Sequence, residues 1–197
     1  MFSVFLDRDG VINEDVHFLR RIEDLVFVPR AIDALVRLAE ALPTDRARIT
    51  ITSNQSALGR GMCTQEEFDT FTDQFLAAIQ DASEGRARID AYRFCPHHPT
   101  AGVGAFLTDC ECRKPRPGML IADAVEHGVD LSQSFMVGDK RSDILAAQAV
   151  GAHGIIVRTG CGGRGGSGDE VTPDAVCDDL YDATDYILSR VEARGGV

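Results

Sequence analysis

The chain has 197 residues, 44% of them hydrophobic and 26% charged, the balance of a globular domain long enough to bury one core. Its 31 acidic and 20 basic residues leave a formal charge of −11, which repels phosphate backbones and argues against nucleic acid as a partner. No run approaches the ~18 unbroken apolar residues of a membrane span, and no basic leader precedes the first apolar run, so no membrane partner and a cytoplasmic location are expected.

Residues 2–6, FSVFL, are aromatic and β-branched, and Gly10 breaks the run soon afterwards, which predicts a buried strand stopping at Asp7. Asp7 and Asp9 then stand at a strand's carboxyl end, the edge where open parallel sheets bind ligands. A helix is predicted over 30–42, with Ile32, Leu35, Val36 and Leu38 at helical spacing. A strand over 48–52 runs into Ser53 and Asn54, small polar groups able to hydrogen-bond phosphate oxygens. A helix over 64–82 and a strand over 89–94 follow. The next segment, 95–116, has neither helical nor strand periodicity and needs something other than a core to hold it. Further on are predicted a helix over 117–128, a strand over 134–138 ending at Asp139 and Lys140, a helix over 141–150, a strand over 154–158, a strand over 175–177 and a helix over 179–193. The glycine-rich stretch 160–168 is a flexible loop by composition, either a lid or a spacer, with the spacer favoured. This alternation predicts a single α/β domain over residues 1–197, a Rossmann-like parallel sheet flanked by helices.

Parallel topology brings the strand ends together, and Asp7, Asp9, Asp139 and Asp143 cannot all stay ionised side by side without a large cost. A divalent cation removes that cost, and an all-oxygen donor set favours Mg²⁺. Arg113 and Lys114 supply the fixed positive charge that an anionic substrate needs on so acidic a protein. Asp143 falls in the first turn of a helix, where the dipole alone accounts for an acid, so it is expected to lie behind the site. Glu14, Asp15 and His17 read as a polar surface loop.

Within 95–116, Cys95-x-His97 is separated by twelve residues from Cys110-x-Cys112. Three thiolates and one imidazole complete a tetrahedral Zn²⁺ and leave no place for a catalytic water, so the zinc is expected to be structural. Either His97 or His98 can supply the imidazole. Cys63, Cys161 and Cys177 are isolated, and no disulfide framework is indicated. The zinc is expected to pin the residues just ahead of Lys114. On this reading Lys114→Ala costs turnover and leaves stability intact.

The segments FLDRDGVIN, TSNQ, RKPRPGM and VGDKRSDILAA resemble, in order and spacing, the four motifs of the haloacid dehalogenase superfamily of phosphohydrolases, from residue 2 to about 158. The resemblance implies that Asp7 attacks phosphorus to give an aspartyl-phosphate, and that Asp9 protonates the leaving alcohol and later activates water. It implies Mg²⁺ held by the side chains of Asp7 and Asp139 and the carbonyl of Asp9, with Lys114 holding nucleophile and phosphate together and Ser53 binding a phosphoryl oxygen. CPHHP and CECRKP resemble the zinc-bearing branch that contains heptose bisphosphate phosphatases and the histidinol phosphatase domain, and that branch uses the first histidine, here His97. The motif spacing leaves no room for a separate cap domain.

NQSALGRG and RKPRPGML are more similar to the heptose bisphosphate phosphatases. They imply a small phosphorylated substrate, removal of the 7-phosphate of D-glycero-D-manno-heptose 1,7-bisphosphate, and a grip by Arg60 and Arg113 on the distal phosphate. A monomer is expected. The chain departs from that pattern at Ala57, where glycine is usual, and at Met62 and Cys63, where a basic and an aromatic residue are usual. A histidinol-phosphate phosphatase is the alternative enzyme. A zinc-stapled binding protein is the alternative outside catalysis, although it has no physical need for Asp7, Asp9, Lys114 and Asp139 together.

Overall fold

The apolar run Phe2–Leu6 forms strand β1, and all but its first residue are buried. Burial on both faces requires cover on both sides, which a parallel sheet receives from its crossover helices. Residues 1–164 and 171–195 are described by the computed structural model. In it β1 is central, pairing in parallel with β2 (Ala47–Asn54) on one side and β4 (Phe135–Gly138) on the other. β3 (Ala91–Cys95) lies beyond β2, while β5 (His153–Val157) and β6 (Ala175–Cys177) lie beyond β4, giving the order β3-β2-β1-β4-β5-β6 with every pair parallel. The order reverses between β1 and β4, and the carboxyl ends of strands flanking such a reversal open the crevice in which α/β sheets bind ligands.

Alternation along β1 divides the core. Val4 and Leu6 join Leu35 of α1 (Ala31–Ala41), Phe75 of α3 (Gln65–Ala82) and Ile187 of α6 (Leu180–Ala193) on one face. Phe5 joins Met119 and Leu120 of α4 (Gly118–His127), Met136 of β4 and Ala147 of α5 (Arg141–Gln148) on the other. α3 starts where a capping box fixes it: the Glu67 N–H donates to Thr64 Oγ1 at 3.1 Å and the Thr64 N–H to Glu67 Oε2 at 2.8 Å.

The predicted strands and helices are present, with ends moved by a residue or two. β2 extends through Asn54, so Ser53 and Asn54 belong to the strand and not to the loop after it. The short helix α2 (Ser56–Gly59) and the 3-10 turns Ile22–Asp24, Gly104–Phe106 and Leu131–Gln133 were not expected, since none is long enough to show a period. The connection from β1 to β2 contains one 3-10 turn and α1, and that from β2 to β3 contains α2 and α3; among the described residues neither builds a cap. Among the described residues no helix is long and apolar enough to cross a membrane. Residues 165–168 of the glycine-rich stretch lie outside the described residues.

Candidate active site

Asp7 directly follows β1, and its N–H donates to the Val137 carbonyl of β4 at 2.9 Å, so its carboxylate stands at the gap where the strand order reverses. Lys114 comes to it from the other side of β2. Its Nζ lies 3.0 Å from Asp7 Oδ1 and 2.7 Å from Asp143 Oδ1, and donates to the Thr52 carbonyl at 2.8 Å. Asn54 fixes the main chain there: Nδ2 donates to the Lys114 carbonyl at 3.0 Å and Oδ1 accepts the Lys114 N–H at 3.1 Å. The Asn54 amide, expected on a phosphate oxygen, is thus engaged by Lys114. Asp143, expected behind the site, is fully buried and pairs directly with that lysine.

Asp139 follows β4. Its Oδ2 accepts the Cys161 N–H at 2.8 Å and its carbonyl accepts the Gly163 N–H at 2.7 Å. The spacer reading of the glycine-rich stretch therefore fails for residues 160–163, which wall the site. Gly10 is required on the facing side: its φ is +84° and a Cβ there would meet Asp139 Oδ2 at 2.4 Å. Glu14 and His17 are exposed, in keeping with a polar surface loop, and the half-buried Asp15 of that loop accepts from Lys140 Nζ at 3.1 Å.

Asp9 is held from behind. Its Oδ1 accepts from Arg8 Nε at 3.0 Å, Arg8 Nη2 at 2.7 Å and Asn13 Nδ2 at 2.9 Å; its Oδ2 accepts from Arg8 Nη2 at 2.8 Å and Gln55 Nε2 at 2.9 Å. The same Gln55 nitrogen donates to Ser53 Oγ at 2.8 Å, linking the ends of β1 and β2. Arg8, Asn13 and Gln55 were not singled out from the sequence. Gln55 was visible only as the last letter of TSNQ, and Arg8 only as the residue between two aspartates.

Burial pushes the Asp7 carboxyl up to about 7; Lys114 opposes the rise, while Asp143 and Asp139 add to it. Burial raises Asp139 too. For Lys114 and Lys140 burial works against the charge, but the surrounding carboxylates outweigh it and both ammoniums are held above their ordinary range. Asp7, Asp139 and Asp143 bring oxygens within 4.8 Å of one another. Asp139 Oδ1 is buried and accepts no hydrogen bond among the described residues, with Lys140 Nζ 3.7 Å away. Leaving such an acceptor unmet costs ~1–3 kcal/mol. A hard cation on this all-oxygen set meets it, and the donors fit Mg²⁺.

A second donor set closes the aperiodic loop. Cys95 ends β3, and its Sγ lies 3.0 Å from Cys112 Sγ, 3.5 Å from Cys110 Sγ and 3.6 Å from His97 Nδ1. Cys112 Sγ is 3.4 Å from Cys110 Sγ and 3.3 Å from His97 Nδ1. A tetrahedron of Zn–S bonds has edges of about 3.8 Å, close to this spacing. Burial first, and the neighbouring sulfurs second, push the Cys95 thiol up. His98 points elsewhere, its Nδ1 accepting the Ala101 N–H at 3.1 Å. The loop then packs on α2, where a Cβ on Gly59 would lie 2.0 Å from the Pro96 carbonyl oxygen, and the Val103 N–H donates to the Gly59 carbonyl at 2.8 Å.

Two guanidiniums flank this junction. Arg113 donates to the His97 carbonyl at 3.0 Å, and Arg60 donates to Ser56 Oγ at 3.2 Å with its guanidinium carbon 5.4 Å from the Phe18 ring centroid. Burial lowers the Arg113 pKa; the positive charge of Arg60 adds to that fall and the cysteines oppose it. Ala57, Met62 and Cys63, the three departures from the family pattern, line one cavity of about 240 Å³ beside Gln55.

A family model described as HAD-hydrolase-like matches residues 111–183. The D-glycero-beta-D-manno-heptose-1,7-bisphosphate 7-phosphatase of Yersinia pestis is 39% identical over 160 residues, 80% of this chain and 81% of that protein. The D-glycero-D-manno-heptose-1,7-bisphosphate 7-phosphatase of Thermosynechococcus vestitus is 38% identical over 198 residues, 98% of either chain. The chain belongs to the heptose bisphosphate phosphatase family of haloacid dehalogenase-like hydrolases. The crystal structure of the D,D-heptose 1,7-bisphosphate phosphatase from B. bronchiseptica, complexed with magnesium and phosphate, superposes with a TM-score of 0.78 at 31% identity, covering 96% of this chain and 99% of that one. As a member of this family the protein is a phosphatase that works with Mg²⁺ on a phosphomonoester.

Proposed function

We propose that this heptose bisphosphate phosphatase relative removes the 7-phosphate of D-glycero-D-manno-heptose 1,7-bisphosphate through an aspartyl-phosphate on Asp7. The observation that carries the substrate is the likeness to heptose-1,7-bisphosphate 7-phosphatases along 98% of the chain, and the pair Arg60 and Arg113, held on Ser56 Oγ of α2 and on the His97 carbonyl of the loop that packs against it, supplies the charge a second phosphate needs. A second phosphate on the substrate neutralises that pair. Histidinol phosphate has an imidazole at its far end and no second phosphate, so it leaves that pair without a counter-charge.

In the first step a carboxylate oxygen of Asp7 bonds to phosphorus while the bond to the sugar oxygen breaks; that oxygen keeps the electron pair and takes a proton from Asp9. In the second step a water oxygen bonds to phosphorus, Asp9 takes the water proton, and the Asp7–phosphorus bond breaks to return the carboxylate. Lys114 faces Asp7 and neutralises charge on the transferring group, Ser53 offers its hydroxyl to a phosphoryl oxygen, and Asn54 holds Lys114 in register. Asp7, Asp139 and the Asp9 carbonyl would hold Mg²⁺, which when bound supplies charge neutralisation at the phosphoryl oxygens. Cys95, His97, Cys110 and Cys112 would hold a structural Zn²⁺. A monomer in the cytoplasm fits a small diffusible substrate, and sedimentation velocity tests the first part.

Phosphate release from heptose 1,7-bisphosphate, heptose 7-phosphate and histidinol phosphate decides the substrate. The bisphosphate is expected to lead in kcat/KM, by about tenfold over the monophosphate for one charge-assisted contact. That lead should vanish in Arg60→Ala and Arg113→Ala. Equal or faster turnover of histidinol phosphate overturns the reading.

A further inference from the structure

We propose that Arg8 is a positioning residue for proton transfer: its buried guanidinium forks the Asp9 carboxylate and holds it facing the leaving oxygen. The inference rests on the reading of Asp9 as the acid and base. Arg8 stands at a bend just after β1 and is 1% exposed, a charged side chain where an apolar one would fill the core at lower cost. Its guanidinium carbon lies 5.4 Å and 5.8 Å from the ring centroids of Phe71 and Phe75, and Nη1 reaches Tyr92 Oη at 3.4 Å. Those aromatic walls set the plane of the guanidinium.

Two nitrogens, Nε and Nη2, then turn back to Asp9, whose side chain keeps 19% exposure. The carboxylate is thus gripped by a guanidinium that is itself buried, while part of it stays accessible. A single contact would leave it free to rotate, whereas a fork defines its plane. Asn13 and Gln55 add one bond each from the flanks. Proton transfer needs the donor within hydrogen-bond reach of the leaving oxygen, so an error of orientation is paid in rate and not in binding.

The test exploits leaving groups. An alkoxide needs a proton to depart and p-nitrophenolate does not, and kcat/KM covers the steps through its departure. For heptose 1,7-bisphosphate, Arg8→Met is expected to lower kcat/KM by about 100-fold and Arg8→Lys, which keeps charge but loses the fork, by about tenfold. For p-nitrophenyl phosphate the loss is expected to stay within about fivefold. Mg²⁺ affinity by calorimetry should stay near wild type. Asp9→Asn is the control and should show the same selectivity between substrates. If Asp9→Asn is selective and the Arg8 variants lower both substrates alike, or neither, Arg8 is structural and the inference is overturned. If Asp9→Asn itself lowers both alike, the acid–base reading fails and this inference with it. Should Arg8→Met not fold, Arg8→Lys decides.

Discussion

Lys114 touches Asp7, Asp143 and the Thr52 carbonyl with a side chain 1% exposed, so removing it has two effects where the sequence suggests one. Lys114→Ala is expected to lower kcat by ~10³-fold, because the transferring phosphoryl group loses its fixed cation. It should also destabilise the fold by roughly 3 kcal/mol, because two buried carboxylates lose their partner. An unchanged melting temperature would mean that those carboxylates simply take up a proton. The pH dependence follows from Asp7. Its carboxyl rises from 3.8 to about 7 in the folded protein, so between those values the folded form holds a proton the unfolded chain has released. The stability this group contributes is therefore present at low pH and lost as pH rises through about 7. Mg²⁺ needs the ionised form, so its affinity should rise about tenfold per pH unit up to 7 and its effect on melting should be larger at pH 8 than at pH 6. A pH-independent affinity by calorimetry would contradict this. Asp7, Asp9 and Asp139 were legible in the sequence because charge at the end of an apolar strand has no core explanation, and Lys114 because so acidic a protein needs a fixed cation beside an anionic substrate and the motif RKPRPGM resembles the one that supplies it. Arg8, Gln55 and Asn13 were not, because an arginine or an amide looks like any surface residue until its burial is known.

The loop over 95–116 shows the same division one level up. Its donor spacing pointed to a metal site, since Cys and His at such intervals have few other uses, and the fold brings those four donors within 4.8 Å of one another. Its docking on α2 had no sequence signal, because it depends on the absence of a side chain at Gly59 and on carbonyls of Pro96 and Gly59. The two parts are separable by mutation. Cys110→Ser should lose zinc, fall by about 5–10 °C in melting temperature and lose activity, since metal binding at such a site is folding energy. Gly59→Ala should keep about one zinc per chain yet displace α2 from the loop. Its KM for the bisphosphate should rise by about tenfold through Arg60, with a stability cost of ~1–3 kcal/mol for the overpacked methyl. Zinc content by elemental analysis, melting curves and steady-state kinetics separate them. Zinc loss in Gly59→Ala would show that loop and helix form one unit with the metal, and full zinc retention in Cys110→Ser would remove Cys110 from the donor set.

Both halves of the sheet contribute to one crevice. β2 brings Ser53 and Asn54, β1 brings Asp7, β4 and α5 bring Asp139 and Asp143, and Lys114 ties Asp7 to Asp143 across the reversal of strand order. The βαβα alternation alone predicted a parallel sheet, but the placing of the reversal between β1 and β4 needed the resemblance or the structure, because local periodicity is silent on which strands are neighbours. That arrangement has a thermodynamic consequence. A ligand seated in the crevice touches groups from either half, so Mg²⁺ and inorganic phosphate should stabilise the sheet as one body. At 100 times their dissociation constants each would add about 2.7 kcal/mol, or about 5–10 °C in a chain of this size. Cys95 lies at the end of edge strand β3, so zinc release should follow the same transition as the loss of helical signal, with and without ligands. Urea titrations read by circular dichroism and by a chromogenic zinc chelator test this, with coincident midpoints expected. Zinc release at lower urea than the loss of helical signal would show that β3 and its loop open as a separate unit, and stabilisation confined to one of two transitions would show that the halves of the sheet unfold independently.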